Sequence, residues 1–141
     1  MEKKKISDNL TMKNFIYSRV AIERGLNNMP TPRAERAINN LVENLLQPLQ
    51  DFAGETIYIT SGYRCPEVNR LVRGARNSQH VTGEAADCYV PGGPGLLWEL
   101  EVSELDFDQA IMYYNKEVLH LSLKLEGENR HEIKEVGKPR Y

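Results

Sequence analysis

Hydrophobic positions change period several times along the chain, and each change marks an element. After Thr31, apolar residues fall at Ala37, Ile38, Leu41, Val42, Leu45, Leu46, Leu49 and Phe52. That is the i, i+3, i+4, i+7 stripe of an amphipathic helix whose apolar face belongs to a core. Thr31 caps its start, Pro32 suits the first turn and Glu35 follows. The helix is expected to run to about Phe52 and to stop at Gly54. Thr56 to Thr60 is β-branched and aromatic and predicts a strand, which Ser61-Gly62 breaks. Pro66 to Val72 reads as a second helix, and Gly74 to Gly83 as a polar, turn-rich stretch. Ala85 to Val90 reads as a strand, ended by the loop Pro91-Gly92-Gly93-Pro94-Gly95, which suits the rim of a cleft. Leu96 to Leu105 is a further helix. Phe107 to Tyr114 and Val118 to Leu125 are strands, and Ile133 to Val136 is an edge strand. Ahead of these, Leu10 to Arg24 is short helical or irregular structure, and Gly25 to Pro32 is a loop. Residues 1–10 read as a solvated, flexible arm.

This order predicts one α+β domain over residues 1–141, with N-terminal helices packed on a small, mainly antiparallel sheet. A chain of 141 residues fits a single domain. At 40% hydrophobic and 27% charged residues it reads as an ordinary globular protein, with enough apolar material for a core. The net charge of −2 supplies no electrostatic footprint for nucleic acid. The longest apolar runs fall far short of the ~18 residues of a membrane span. Met1-Glu2-Lys3-Lys4-Lys5 is followed by Ser7, Asp8 and Asn9 rather than by an apolar stretch, so no secretory signal is read. The expected location is cytoplasmic, with access to a cell wall only after lysis or export. Cys65 and Cys88 are expected to stay reduced in such a compartment.

The chemistry concentrates around two of the three histidines. His80 lies in Ser78-Gln79-His80-Val81-Thr82-Gly83-Glu84-Ala85-Ala86-Asp87. This stretch sets an imidazole in a loop and a carboxylate at the start of a strand, with a glycine between them for a tight turn. His120 lies in the apolar strand Val118-Leu119-His120-Leu121-Ser122, where it shares a face with Ser122. Two imidazoles and a carboxylate are the three protein ligands of a catalytic zinc site with one open position. His131 reads as a surface residue, Cys88 as core, and Trp98 as core or cleft rim.

The pattern S-x-H-x-x-G-x-A-x-D of Ser78 to Asp87 resembles the first zinc motif of the D-alanyl-D-alanine carboxypeptidase family. The wider clan of that family includes the vancomycin-resistance dipeptidase and the hedgehog signalling domain. Thr60-Ser61-Gly62-Tyr63-Arg64 with Asn69 resembles its S-G-Y-R…N element. Phe107-Asp108-Gln109 followed by Val118-Leu119-His120-Leu121-Ser122 resembles its closing F-D-Q…H-x-S element. Asn27-Asn28-Met29-Pro30 resembles its N-terminal segment. The resemblance spans about residues 13 to 125.

The resemblance implies that His80, Asp87 and His120 bind Zn2+ and that Arg64 faces the substrate. A planar guanidinium suits a terminal carboxylate or a developing oxyanion. Ser78 and Gln79 either orient substrate or support His80 from behind. Asp108 and Gln109 match the family with a structural part. The general base is implied at Glu117, as E-x-x-H before His120. Two departures bear on it: Leu119 stands where many relatives carry an aromatic residue, and Met112, Tyr113 and Tyr114 where many carry a glutamate. Residues three apart in a strand face opposite ways, so Glu117 reaches the metal only from the turn at Asn115-Lys116. Otherwise the chain binds zinc and turns over poorly, or is helped by Tyr113 or Tyr114. The implied function is a zinc peptidase that cuts beside D-amino acids in peptidoglycan stem peptides, as a carboxypeptidase or an endopeptidase. The alternative is a zinc-bound, catalytically weak binding or structural domain of a phage, a mobile element or an envelope assembly.

Overall fold

The computed structural model describes residues 7–89 and 95–138. The chain opens with a 3-10 turn, Asp8–Leu10, and two short helices, α1 (Met12–Ile16) and α2 (Arg19–Arg24). Residues 7–10 are therefore not part of a solvated arm. Leu10 is fully buried, the Ser7 amide donates to Gln47 Oε1, and Asn9 Nδ2 donates to the Ile57 carbonyl. Residues 1–6 of that arm lie outside the described residues.

The long apolar stripe forms α3 (Pro32–Leu41), a π turn (Val42–Leu46) and α4 (Gln47–Ala53), running on without a break. Thr31 Oγ1 accepts from the Ala34 amide at the start, and Gly54 closes the end at φ +68°. The π turn answers Pro48. A proline inside a helix lacks an N–H and its ring presses on the carbonyl four residues back. Widening by one residue, with the Gln47 amide donating to the Val42 carbonyl, relieves that clash. After β1 (Tyr58–Ser61) come α5 (Pro66–Leu71), α6 (Gln79–Thr82), β2 (Ala85–Tyr89) and α7 (Gly95–Ser103). The strands β3 (Gln109–Tyr113), β4 (Val118–Ser122) and β5 (Glu132–Val136) follow. No helix among the described residues is long and apolar enough to cross a membrane. Val90 to Pro94, most of the expected cleft-rim loop, lies outside the described residues.

The five strands form one sheet in the order β1-β2-β4-β3-β5, antiparallel except for the β3/β5 pair. The protein is thus α+β, as its patterning predicts. Period-two alternation divides the sheet. Ala86, Cys88, Ala110, Met112, Leu119 and Leu121 are buried against Ile38, Leu41, Leu45, Leu49 and Leu100 of the helical layer. Burial pushes the Cys88 thiol far up, and both cysteines are free. Trp98 is exposed and not part of the core, because the buried side of α7 is taken by Leu96, Leu97 and Leu100.

Two contacts fasten the sheet to its surroundings. Gly83 ends α6 at φ +80°, where an added Cβ would stand 2.4 Å from the Ala34 carbonyl of α3. Only glycine allows both the left-handed turn and that approach. Asp108 sits fully buried at the head of β3, where the β4–β5 connection crosses the sheet end. Its Oδ1 accepts from the Arg130 amide at 2.9 Å and from Arg130 Nε at 3.1 Å. Its Oδ2 accepts from Arg130 Nη2 at 2.8 Å and from Gln79 Nε2 at 2.9 Å. Burial alone would raise this carboxyl, but the Arg130 and Gln79 bonds outweigh it and bring it down to about 2.

Gly83→Ala lowers stability by more than about 2 kcal/mol, combining left-handed strain with the clash on α3, as read from denaturant midpoints. A carboxyl depressed on folding stabilises above its unfolded pKa, and that stability is lost as pH falls through the folded value. Asp108 therefore contributes roughly 2 kcal/mol from neutral pH down to about pH 4, and loses it between about pH 4 and about pH 2. The stability gap between wild type and Asp108→Asn should be flat above that window and close within it.

Candidate metal centre

The open face of the sheet carries the polar counterparts of the core positions. β2 and β4 pair so that Asp87 stands directly opposite His120, and Ser61 of β1 faces Asp87 from the other side. Directly opposed residues on one face have Cβ atoms about 4.5–5.5 Å apart, close enough for side chains to meet. His120 Nδ1 lies 2.9 Å from Asp87 Oδ1. The second imidazole comes from outside the sheet. His80 is the second residue of the one-turn helix α6, in the stretch whose sequence suggests only a polar loop. Ser78 Oγ accepts from the His80 amide at its start, and Gly83 closes it, so capping makes a helix too short to show a period.

The register of β1 shifts between Ile59 and Ser61, ending the strand in a bulge beside the cluster. Beyond it, the Gly62 carbonyl accepts from His80 Nδ1 at 2.7 Å. A carbonyl only accepts, so Nδ1 carries the hydrogen and Nε2 is the nitrogen left for a ligand. Nε2 points to the same Asp87 oxygen, 3.3 Å away. Gly62 is pressed on α1: an added Cβ would lie 2.6 Å from the Phe15 carbonyl, and the next amide, of Tyr63, donates to that carbonyl.

One ligand atom from each of His80, Asp87 and His120 lies within 4.8 Å of the others. Donors around one tetrahedral Zn2+ at ~2.1 Å stand roughly 3.4 Å apart, so the separations of 2.9 and 3.3 Å suit one ion. His80 is 3% exposed and His120 14%, against 27% for Asp87, so the cluster is walled behind and opens past the carboxylate. Burial alone would raise the Asp87 carboxyl. Hydrogen bonds from His120 and His80, with their charge, outweigh it and hold the group well below the usual carboxylate range. An ionised carboxylate is the form that ligates a metal, and protons on the facing imidazole nitrogens would leave as the metal binds. On chemistry and spacing, the donor set fits zinc.

The other predicted residues surround this cluster unevenly. Arg64 is half-buried, its amide donates to the His80 carbonyl, and Nη2 lies 3.4 Å from Ser78 Oγ. Its buried Nε has no protein partner. Burial lowers its pKa, with Asp87 opposing that shift. A hollow of about 240 Å³ opens beside it, lined by Tyr17, Thr60, Tyr63 and Val68 among others. Ser78 caps α6 and meets Arg64, so it supports both. Gln79 Nε2 is turned inward to Asp108. Glu117 lies in the β3–β4 turn, at φ +54° and exposed to solvent. It stands outside the strand alternation that would otherwise turn it away from His120. Asn28 is a supporting residue to which its motif alone gave no part. It donates to the Ile16 and Tyr63 carbonyls and accepts from the Cys65 amide, bracing the turn that carries Arg64.

A family model described as Peptidase M15 matches residues 8–122, which include every element that builds the cluster. No curated protein gives a significant match to the chain. With most of its length inside that match, the chain belongs to the peptidase M15 family of metallopeptidases.

Proposed function

We propose that the protein is a zinc-dependent hydrolase of peptide bonds next to D-amino acids in peptidoglycan stem peptides, with His80, Asp87 and His120 as the metal ligands. The observation that carries this reading is the convergence of two imidazole nitrogens on one ionised carboxylate at an accessible face, within a metallopeptidase family. A zinc ion bound there supplies Lewis acidity toward the scissile carbonyl and lowers the pKa of a bound water to about 7.

The chain's own residues do the rest. Arg64, whose guanidinium lies beside Ser78 and which lines a hollow, suits the terminal carboxylate or the carbonyl oxygen of a peptide. Glu117 takes a proton from the attacking water and returns it to the departing amine. Ser78 and Gln79 act by fixing α6, and with it His80. The substrate is met at the cell wall after lysis or export. Exposure of Glu117 in its turn favours one alternative, a zinc-bound domain that binds stem peptides without cutting them.

Zinc content and muropeptide hydrolysis, measured on the same preparations, separate these readings. Wild type should hold about one zinc, and His120→Ala should lose it. Glu117→Gln should keep the metal and lose about 10²–10⁴-fold in rate. Intact rate in Glu117→Gln removes it as the base, and zinc without cleavage of any stem peptide supports the binding domain. Arg64→Lys should cost about 10–100-fold in kcat/KM by losing the guanidinium fork. A free stem pentapeptide and a cross-linked dimer, offered in parallel, report a carboxypeptidase or an endopeptidase.

A further inference from the structure

The helix that presents His80 is four residues long, and a single turn does not hold itself in water. Its position comes from outside contacts. Ser78 caps it, the Arg64 amide holds the His80 carbonyl, Gly83 rests on α3, and Gln79 reaches across to the sheet. The last contact differs from the others. Gln79 Nε2 donates to Asp108 Oδ2, and three of the four hydrogen bonds on that carboxylate come from Arg130. Lys124 Nζ is further off, at 3.8 Å from Oδ1. Arg130 lies past residue 122, where the family match ends. The segment is fastened along its length as well. The Asn129 side chain donates to Asp106, the His131 amide to the Phe107 carbonyl, and the Glu132 amide to the Asp108 carbonyl.

We infer that Arg130 is a positioning residue of the metal centre, acting through Asp108 and Gln79 on the placement of His80. The inference rests on the zinc reading above. The guanidinium fork fixes both carboxylate oxygens, so Oδ2 faces Gln79 in one orientation. Gln79 then fixes the first residue of α6, and His80 is the next. Without the fork the carboxylate is free to turn toward Lys124, Gln79 loses its acceptor, and α6 loses its tie to the sheet. Arg130 touches no metal ligand, so the effect should appear in the geometry and affinity of the site. A residue with a merely structural part would change the melting temperature alone.

The experiment compares wild type, Arg130→Gln, Arg130→Lys and the core variant Leu49→Ala, all as the full chain at a temperature where each is folded. Zinc affinity is read by chelator competition, and ligand geometry by the visible spectrum of the Co2+-substituted protein. Arg130→Gln should bind zinc about tenfold more weakly and shift the Co2+ spectrum. Arg130→Lys, a point charge without a fork, should fall between it and wild type. Leu49→Ala should lose thermal stability while keeping wild-type affinity and spectrum. Arg130→Gln with a lowered melting temperature but wild-type affinity and spectrum overturns the inference. A wild type that binds neither zinc nor Co2+ at His80, Asp87 and His120 instead defeats the zinc reading beneath it, and the wild-type arm alone reports that.

Discussion

The pairing of β2 with β4 is the constraint on which the site depends. Asp87 and His120 are separated by 33 positions in sequence, yet they stand opposite one another because the two strands pair in one register. A slip of one residue would turn one of them toward the helices and bring a core residue such as Cys88 or Leu121 to the open face. The register is enforced from the other side of the sheet. Ala86, Cys88, Leu119 and Leu121 are buried against the helical layer, and a slip would expose them. Hydrophobic burial on one face therefore holds the two side chains proposed as metal ligands together on the other. This route is economical in a small domain, because the same alternation serves stability and chemistry.

The third ligand is placed by a different kind of physics. His80 has no strand register to fix it and sits on a single helical turn. Its orientation comes from the Gly62 carbonyl, which sets the tautomer, and from close packing of Gly83 on Ala34. Gly62 is itself pressed against α1, so the N-terminal helices bear on the metal centre through one carbonyl. Asn28 and Asp108 extend this support, one toward the turn that carries Arg64 and one toward the sheet end. The site is thus built from a pair set by strand register and a third member set by local packing and hydrogen bonding.

Much of this was legible in the sequence, and what was not has physical causes. The long helix showed its period, and its end at Gly54 followed from backbone freedom. The strands showed their alternation, and with it the face shared by His120 and Ser122. The π turn was hidden, since Pro48 leaves the apolar stripe intact while changing the hydrogen bonding beneath it. α6 is hidden in the sequence because four residues show no period, and only its caps and outside contacts make it. The packed residues from Ser7 to Leu10 were read as an arm because a single buried leucine forms no pattern. The ligand triplet was named through motif resemblance, since periodicity gives no distance between residues 80, 87 and 120. The tie from Arg130 to Asp108 joins residues 22 positions apart in a polar stretch, where no local signal distinguishes a buried pair from a surface one.

The central claim concerns which atoms hold the metal, and X-ray absorption of the zinc-loaded protein tests it directly. Two imidazoles and a carboxylate predict a first shell of nitrogen and oxygen near ~2.0–2.2 Å, with the outer scattering of two imidazole rings. A sulfur shell near ~2.3 Å, or the scattering of one imidazole only, would contradict it, and would place the metal elsewhere than between β2, β4 and α6.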